Sequence, residues 1–491
     1  MERLETTYGV LLRNDHAMAL FDPSTLKLFN VDLPLSLTLA DVDRHLAGDA
    51  AVCTSPPAAF ADEPSPAAQV LPSRRRALLP VLAAAKVVDG SVPSAAINRL
   101  TLNISNACNL WCSYCYADHG FYHAPKSLMA PETAAAVVHR ILEHYEDVEI
   151  VHFFGGEPLL NLRAINAVAL AFESVVAEGR LKRLPQFVAT TNGTLSSNAV
   201  LETLERWRID LTVSCDGPQV VHDAARPMAS GTGSSFQKLS KSLERFDARG
   251  IHYGLECTYN AQHRDLEISV RELLDFFSKL TNQREFHIAP VSLPRSEGMP
   301  EGEGGQRIFR GESLVLQKRR NLDMVHLIEV FREAAVYTVQ NVFSGDGPVL
   351  SLANGIIGQI VNRRPSQIYC PAFFDQLSVA TDGSVFPCFM FIGDDSFNLG
   401  NILTGDYPSA RAAEVIGRYF REFGFSPVGT NNWYGPLFSG CVAGEYITSN
   451  SLGVRTMAPL YEAMIEECLL GVAASVRSGM PTPSVEHQLT C

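Results

Sequence analysis

The spacing of apolar and polar positions changes character at about residue 97. Before it, residues 5–35 alternate short apolar runs with turn residues (Gly-Val-Leu-Leu, then Ala-Leu-Phe-Asp-Pro), the mark of a small β-rich unit. Residues 53–73 gather Pro, Ala and Ser and read as a linker. From 97 on, strand-like runs at 99–104, 148–154, 186–191, 209–215, 252–259 and 285–291 alternate with helical patterns at about 131–146, 161–178, 197–206, 234–248 and 266–280. In the first of these helices Val137, Val138, Ile141, Leu142 and Tyr145 share a face, and Pro131 suits the N-terminal turn. Six strands joined by helices predict a parallel sheet with right-handed crossovers. Six repeats suit a partial (β/α)6 TIM-like barrel of the α/β class better than a closed eight-stranded one, and place the chemistry at the C-terminal strand ends.

Further on the periodicity fades. Residues 292–320 are rich in Gly, Glu, Arg and Ser, which suits either a connector or a lid over a groove. A helix is expected at about 322–342, and the region from 366 on is irregular. The division expected is an N-terminal unit at 1–52, a linker and lead-in at 53–96, the barrel at 97–345, and a C-terminal domain at 346–491.

Composition narrows the setting. With 46% apolar and 19% charged residues the chain has material for a large core. A net charge of −13 argues against coating nucleic acid. No apolar run approaches the roughly 18 residues that cross a bilayer, so no membrane partner is expected. The opening Met-Glu-Arg-Leu-Glu lacks the basic and apolar stretches of a secretory signal, so the expected location is cytoplasmic. In a reducing compartment the eleven cysteines read as ligands or catalytic groups before disulfides.

They are unevenly spread. Cys108, Cys112 and Cys115 form one group directly after the first barrel strand. Three thiolates at this spacing can bend round one iron–sulfur cube and hold three of its irons, leaving a fourth open to a small molecule. A zinc loop or a group of buried thiols is the alternative, although zinc favours paired cysteines. Tyr114 would shield the cluster edge. After the second strand comes Phe153-Phe154-Gly155-Gly156-Glu157-Pro158, where glycines admit close backbone approach and Glu157 supplies an acceptor for an ammonium group. Thr190-Thr191-Asn192-Gly193-Thr194 follows the third strand, and Ser214-Cys215-Asp216-Gly217-Pro218 the fourth, with His222, Asp223 and Arg226 close behind. Asp216 and Asp223 could orient substrate or act as a base, or could cap the next helix. Cys215 and Cys257 lie in apolar strand patterns and read as core thiols. Downstream, Cys370 and Cys388 flank a segment in which Asp382-Gly383 signals a two-residue hairpin, so both can face one metal centre. Cys441 and Cys468 are available to complete four ligands. Cys53, in the linker, is incidental, and Cys491 is a tail thiol or an additional ligand.

The Cys-x3-Cys-x2-Cys loop after a barrel strand, together with Gly155-Gly156-Glu157 at its distance, resembles the radical S-adenosylmethionine enzymes. That resemblance implies a 4Fe–4S cluster on Cys108, Cys112 and Cys115 whose open iron is chelated by S-adenosylmethionine. Reductive cleavage then yields a 5′-deoxyadenosyl radical that removes a substrate hydrogen. It further implies that the Gly155–Glu157 segment holds the cofactor's amino group, with Asn192 and Ser214 near the cofactor as well. The Ser-x-Asp-Gly-Pro segment and the Cys370–Cys388 hairpin, with Phe-Met-Phe-Ile-Gly after it, resemble the peptide-modifying branch and its SPASM or twitch extension. That implies an auxiliary cluster on Cys370, Cys388, Cys441 and Cys468. Full SPASM modules carry further cysteines where this chain reads Asn-Asn-Trp433-Tyr434 before Cys441, so one auxiliary cluster fits the count better than two.

Within that branch the chain looks like maturases that form thioether crosslinks, leaning to the type that matures quinohemoprotein amine dehydrogenase. The resemblance implies a ribosomally made, cysteine-containing peptide or small protein subunit as substrate. It also implies an electron donor such as flavodoxin or ferredoxin, and an N-terminal unit that adds the peptide as an edge strand. Other peptide modifications (a carbon–carbon crosslink, epimerisation, formylglycine-type oxidation) and a binding scaffold without turnover are the competing readings.

Overall fold

The computed structural model describes residues 2–31 apart from 7, 8, 15, 16, 24 and 25; 96–292; 322–363; 372–419 apart from 374; 422; and 433–483 apart from 436, 439 and 482. The expectations for the linker with Cys53, the segment 293–320, Cys370 and Cys491 lie outside the described residues.

The N-terminal unit is an antiparallel meander, β1 (Glu2–Thr6), β2 (Gly9–Arg13), β3 (Met18–Asp22) and β4 (Lys27–Asn30), paired in chain order. The barrel strands are β5 (Ala96–Asn106), β7 (Asp147–Gly155), β8 (Gln186–Thr191), β9 (Asp210–Ser214), β10 (Tyr253–Tyr259) and β11 (Glu285–Pro290), each hydrogen-bonded in parallel to the next. The short β6 (Ser127–Leu128) pairs antiparallel with β5. Between the strands run α1 (Pro131–His144), α2 (Leu162–Ala177), α3 (Asn198–Trp207), α4 (Gln219–Ala225), α5 (Ser235–Arg249), α6 (Ala261–Asp265) and α7 (Val270–Leu280). This is the α/β partial barrel that the sequence pattern predicts.

Local chemistry fixes the boundaries. Pro131 starts α1, the Asn161 side chain caps α2, and a Ser269–Glu272 capping box opens α7. Period-two burial sets the two faces. In β10, Tyr253, Leu255, Cys257 and Tyr259 are buried towards the helices, whereas Gly254, Glu256 and Thr258 are half-buried on the inner face. Cys215 and Cys257 are fully buried core thiols, as expected. The outer layer closes with aromatic packing: the Phe153 and Phe187 rings stack at 5.9 Å, and Phe172 of α2 meets Phe187 edge-on.

The sheet runs on past six strands at both ends. β12 (Val349–Leu350) pairs with β11, so the barrel continues beyond residue 345. On the other edge β13 (Gln376–Val379) lies parallel to β5 and carries β14 (Val385–Phe386) antiparallel. The C-terminal region is therefore joined to the barrel through one continuous sheet.

The loop between β13 and β14 differs from the expected two-residue turn. Ala380 and Ser384 still pair, and Gly383 N donates to Ala380 O at 3.0 Å, so three residues, Thr381–Gly383, form the turn. Of Asp382 and Gly383 only the glycine has positive φ, at +87°, whereas a two-residue Asp-Gly turn needs both.

Outside the barrel, α8 (Met324–Ser344), α9 (Ser351–Asn362) and α12 (Ala458–Arg477) pack together. β2, β3 and β4 lie on α12, where Arg3 pairs with Glu462 and Glu466, and Phe21 meets Trp433 edge-on at 6.1 Å. Between them lie α10 (Ala410–Tyr419) and α11 (Val442–Ser449). Among the described residues no helix is long and apolar enough to cross a membrane.

Candidate functional site

Four segments meet at the C-terminal ends of adjacent strands. The cysteine loop leaves β5, Gly155-Gly156-Glu157 leaves β7, Asn192 follows β8, and Ser214 ends β9 on the inner face. Glycine makes the first junction. A Cβ on Gly156 would lie 2.4 Å from Ala107 O and 3.0 Å from Gly120 Cα, and one on Gly155, at φ +138°, would lie 2.4 Å from Ser105 O. The cysteine loop is thereby seated directly on the end of β7.

Glu157 is fully buried and works as a tie. Its Oε1 accepts from Leu159 N at 3.0 Å and Thr191 Oγ1 at 2.8 Å, and its Oε2 accepts from Asn192 N at 2.8 Å. Burial pushes its pKa up to about 7 against these three donors. Asn192 turns its amide towards the cysteines. Its Nδ2 donates to Asn109 Oδ1 at 2.8 Å and lies 3.8 Å from Cys108 Sγ, while its Oδ1 accepts from Thr194 N and Oγ1.

The three thiols are half-buried. Burial pushes the Cys108 thiol up to about 12, with Glu157 adding to the effect, and raises Cys112 and Cys115 as well. Thiols in such a place ionise only with cations beside them. The surroundings fit an iron–sulfur cube. Leu110 N donates to Cys108 Sγ at 3.4 Å, and the backbone at Ala117, His119 and Gly120 opposes the rise that burial causes in Cys115. Such donors stabilise the sulfurs of a cluster. Among the described residues no three His, Cys, Asp or Glu side chains are grouped to hold a single metal ion.

Behind Cys112 lies a buried polar network. Asp216 Oδ1 pairs with Arg226 Nε at 3.0 Å and accepts from Thr258 N at 3.3 Å. Its Oδ2 accepts from Tyr114 Oη at 2.6 Å and Asn260 Nδ2 at 3.4 Å. Asp216 N donates to His222 Nδ1, and His263, which accepts from Asn260 N on Nδ1, donates through Nε2 to Asp216 O at 2.6 Å. Burial favours the neutral carboxyl, yet Arg226, His222, His263 and Tyr114 together hold Asp216 below the usual carboxylate range. A carboxylate this fully engaged is poorly placed as a proton acceptor. Asp223 stands apart from the strand ends. It accepts from Ser234 Oγ, Ser235 Oγ and Phe236 N at 2.6–3.0 Å and so ties down the start of α5, whose N-cap is Ser234, with its side chain accepting from Gln237 N.

The C-terminal cysteines are only partly brought together. Cys388 is buried at the start of the short helix Phe389–Phe391, against which α11 packs, and Cys441 caps α11, accepting from Gly444 N at 3.4 Å. The Phe389 ring lies 4.2 Å from that of Phe154, tilted by 40°, which carries this helix over the barrel interior. The Tyr122 hydroxyl lies 3.5 Å from that of Tyr116, and burial raises its pKa, with Cys115, Cys108 and Cys388 adding to the rise. The expected fourth ligand, Cys468, is fully buried in the middle of α12. Its Sγ faces Ala353 O of α9 at 3.9 Å, because its helical position points into an apolar helix–helix seam.

Nothing in the sequence pointed to Asn109, Asn260 or His263, and it left no single role for Thr191, Arg226 or His222. Only the closeness of His222 and Arg226 to the Asp-Gly-Pro turn hinted at the network.

Residues 102–261 match the Radical SAM superfamily. This part of the chain is a radical SAM domain, the class whose cofactors are a 4Fe–4S cluster and S-adenosylmethionine. Curated relatives include the radical SAM cyclopropyl synthase TigE of Paramaledivibacter caminithermalis, 29% identical over 161 residues (30% of this chain, 32% of that protein). The cysteine-type anaerobic sulfatase-maturating enzyme of Clostridium perfringens is 27% identical over 165 residues (31% and 41%). The chain spans 32% and 53% of the length of TigE and of a second relative, an uncharacterized protein of Methanocaldococcus jannaschii. Among solved structures, native anSMEcpe with bound AdoMet superposes with a TM-score of 0.57 at 19% identity, covering 76% of this chain and 99% of that one. The likeness is one of fold.

Proposed function

We propose that this chain is a radical S-adenosylmethionine maturase that modifies a ribosomally made peptide or small protein, forming thioether bonds between a cysteine sulfur and a carbon. The observation that carries the radical chemistry is the seating of the Cys108–Cys115 loop, with Leu110 N donating to Cys108 Sγ, on the glycine-packed end of β7. Cys108, Cys112 and Cys115 would hold the cluster. When bound, cluster and S-adenosylmethionine together supply the radical that removes a substrate hydrogen. Around them, Asn192 and Asn109 orient the Cys108 side, Gly155 and Gly156 admit the cofactor's backbone contacts, and Ser214 faces the interior. The half-buried Ser214, Glu256 and His287, neighbours across β9, β10 and β11, give the inner face of the sheet hydrogen-bonding groups suited to a polypeptide.

The peptide reading is supported by a relative named for sulfatase maturation and by a similar fold, anSMEcpe, solved with bound AdoMet and a Cp18Cys peptide (TM-score 0.58, 19% identity, 79% and 100% covered). Cys388 and Cys441, with Cys370, would serve an auxiliary cluster, and a flavodoxin or ferredoxin would supply electrons in the cytoplasm.

The test is anaerobic. The reconstituted, reduced protein given S-adenosylmethionine should release 5′-deoxyadenosine, and Cys112→Ala should release none. With a short cysteine-containing polypeptide encoded beside the chain, a crosslink lowers the product mass by two hydrogens, whereas an unchanged mass would point to epimerisation and refute the crosslink.

A further inference from the structure

The segment after α4 clamps the cysteine loop. Trp111 N donates to Pro227 O at 2.9 Å, Ser113 N to Ala225 O at 2.8 Å, and Ala229 N to Asn109 O at 3.0 Å, while Leu110 and Met228 form an antiparallel bridge. Residues 109–113 and 225–229 thus run side by side like two short strands. In that register Cys112, between Trp111 and Ser113, stands opposite Arg226, between Ala225 and Pro227. Arg226 is 8% exposed and Asp216 is not exposed at all. The guanidinium also lies 5.3 Å from the ring centre of Tyr114, whose hydroxyl ends on the same Asp216.

A buried ion pair of this kind is costly to desolvate, and replacing such pairs by apolar packing is often neutral or stabilising. Stability alone therefore gives a weak reason to place it behind a ligand cysteine. Charge near a cluster, by contrast, bears directly on the energy of its extra electron, and local charge and hydrogen bonding are main determinants of cluster potential.

We propose that the buried Arg226–Asp216 pair, held opposite Cys112 by the backbone clamp, sets the reduction potential of the cluster carried by Cys108, Cys112 and Cys115. The inference rests on the radical S-adenosylmethionine reading of that trio and adds to it a positioning and tuning role for residues that touch neither cofactor nor substrate. The cation stabilises the reduced, more negative cluster. Asp216 moderates that effect, and the Tyr114 hydroxyl in turn moderates Asp216.

The two charges make opposite predictions, which a purely structural role does not. In the reconstituted full chain, potentiometric EPR titration of the signal that changes on adding S-adenosylmethionine should show a lower midpoint for Arg226→Gln and a higher one for Asp216→Asn. The double variant should return towards the parent, and Arg226→Lys should stay close to it. Tyr114→Phe, which removes one hydroxyl and keeps the ring, should lower the midpoint modestly and serves as the reporter should the charge variants load too little iron. Shifts of the same sign in both single variants, or none in variants that load iron normally, overturn the inference while leaving the radical reading intact. A parent protein with no EPR signal responsive to S-adenosylmethionine overturns that reading, and the inference with it.

Discussion

Glu157 offers a test of the strand-end geometry that needs no cofactor. Its carboxyl has no exposure and its pKa is pushed up from 4.5 to about 7. Between those values the native state binds more protons than the unfolded chain, so stability falls as pH rises and the loss is complete above the native value. The shift corresponds to about 3 kcal/mol in total, of which about 2.5 kcal/mol falls between pH 5 and pH 8. Glu157→Gln keeps the shape and has no proton to lose. Its side-chain amide meets backbone donors that the carboxylate satisfied, which costs about 1–3 kcal/mol at every pH. Urea unfolding of the metal-free protein should therefore show a variant clearly weaker than the parent at pH 5 and comparable or more stable at pH 8. Parallel pH profiles for the two proteins would refute the reasoning and show that Glu157 reaches water or a cation in the native state.

Further outcomes follow from single contacts. Gly156→Ala places a methyl 2.4 Å from Ala107 O, so the cysteine loop must shift; we expect a loss of about 1–3 kcal/mol and a sharp fall in iron bound per chain after reconstitution, measured by iron assay. Asp223→Ala removes the acceptor for Ser234, Ser235 and Phe236 at the start of α5, leaves the Ser234 N-cap in place, and should cost about 1 kcal/mol in thermal or chemical unfolding while 5′-deoxyadenosine release persists; abolished release would give Asp223 a chemical role. Cys468→Ala should lower stability slightly and leave the iron content unchanged, because that thiol packs in the α9–α12 seam; a loss of iron would restore Cys468 as a ligand.

Much of this architecture was legible from local pattern. The alternation in Tyr253–Tyr259 and the 3.6-residue spacing of Val137, Val138 and Ile141 depend on neighbours a few positions away, and the elements appear where that spacing puts them. The cysteine trio and the Gly-Gly-Glu turn were legible for the same reason. What escaped the sequence is set by distant packing. Nothing local says that β13 pairs with β5, so the C-terminal region read as a separate domain although it extends the barrel sheet. Cys468 looked like a spare ligand because a helical period says which residues share a face but not what that face meets. For Asp216 the sequence left substrate orientation, a base and a helix cap open, because Arg226, Tyr114 and Asn260, which occupy it, come from three other segments.

The proposed function requires Cys108, Cys112 and Cys115 to bind a cube with one iron left for S-adenosylmethionine. The direct measurement is the EPR spectrum of the reduced, reconstituted chain carrying Cys370→Ala, Cys388→Ala and Cys441→Ala together, recorded with and without S-adenosylmethionine. The account predicts about four irons per chain and a 4Fe–4S signal whose g values move when the cofactor is added. Zinc in that loop, or a cluster whose spectrum ignores the cofactor, would contradict it.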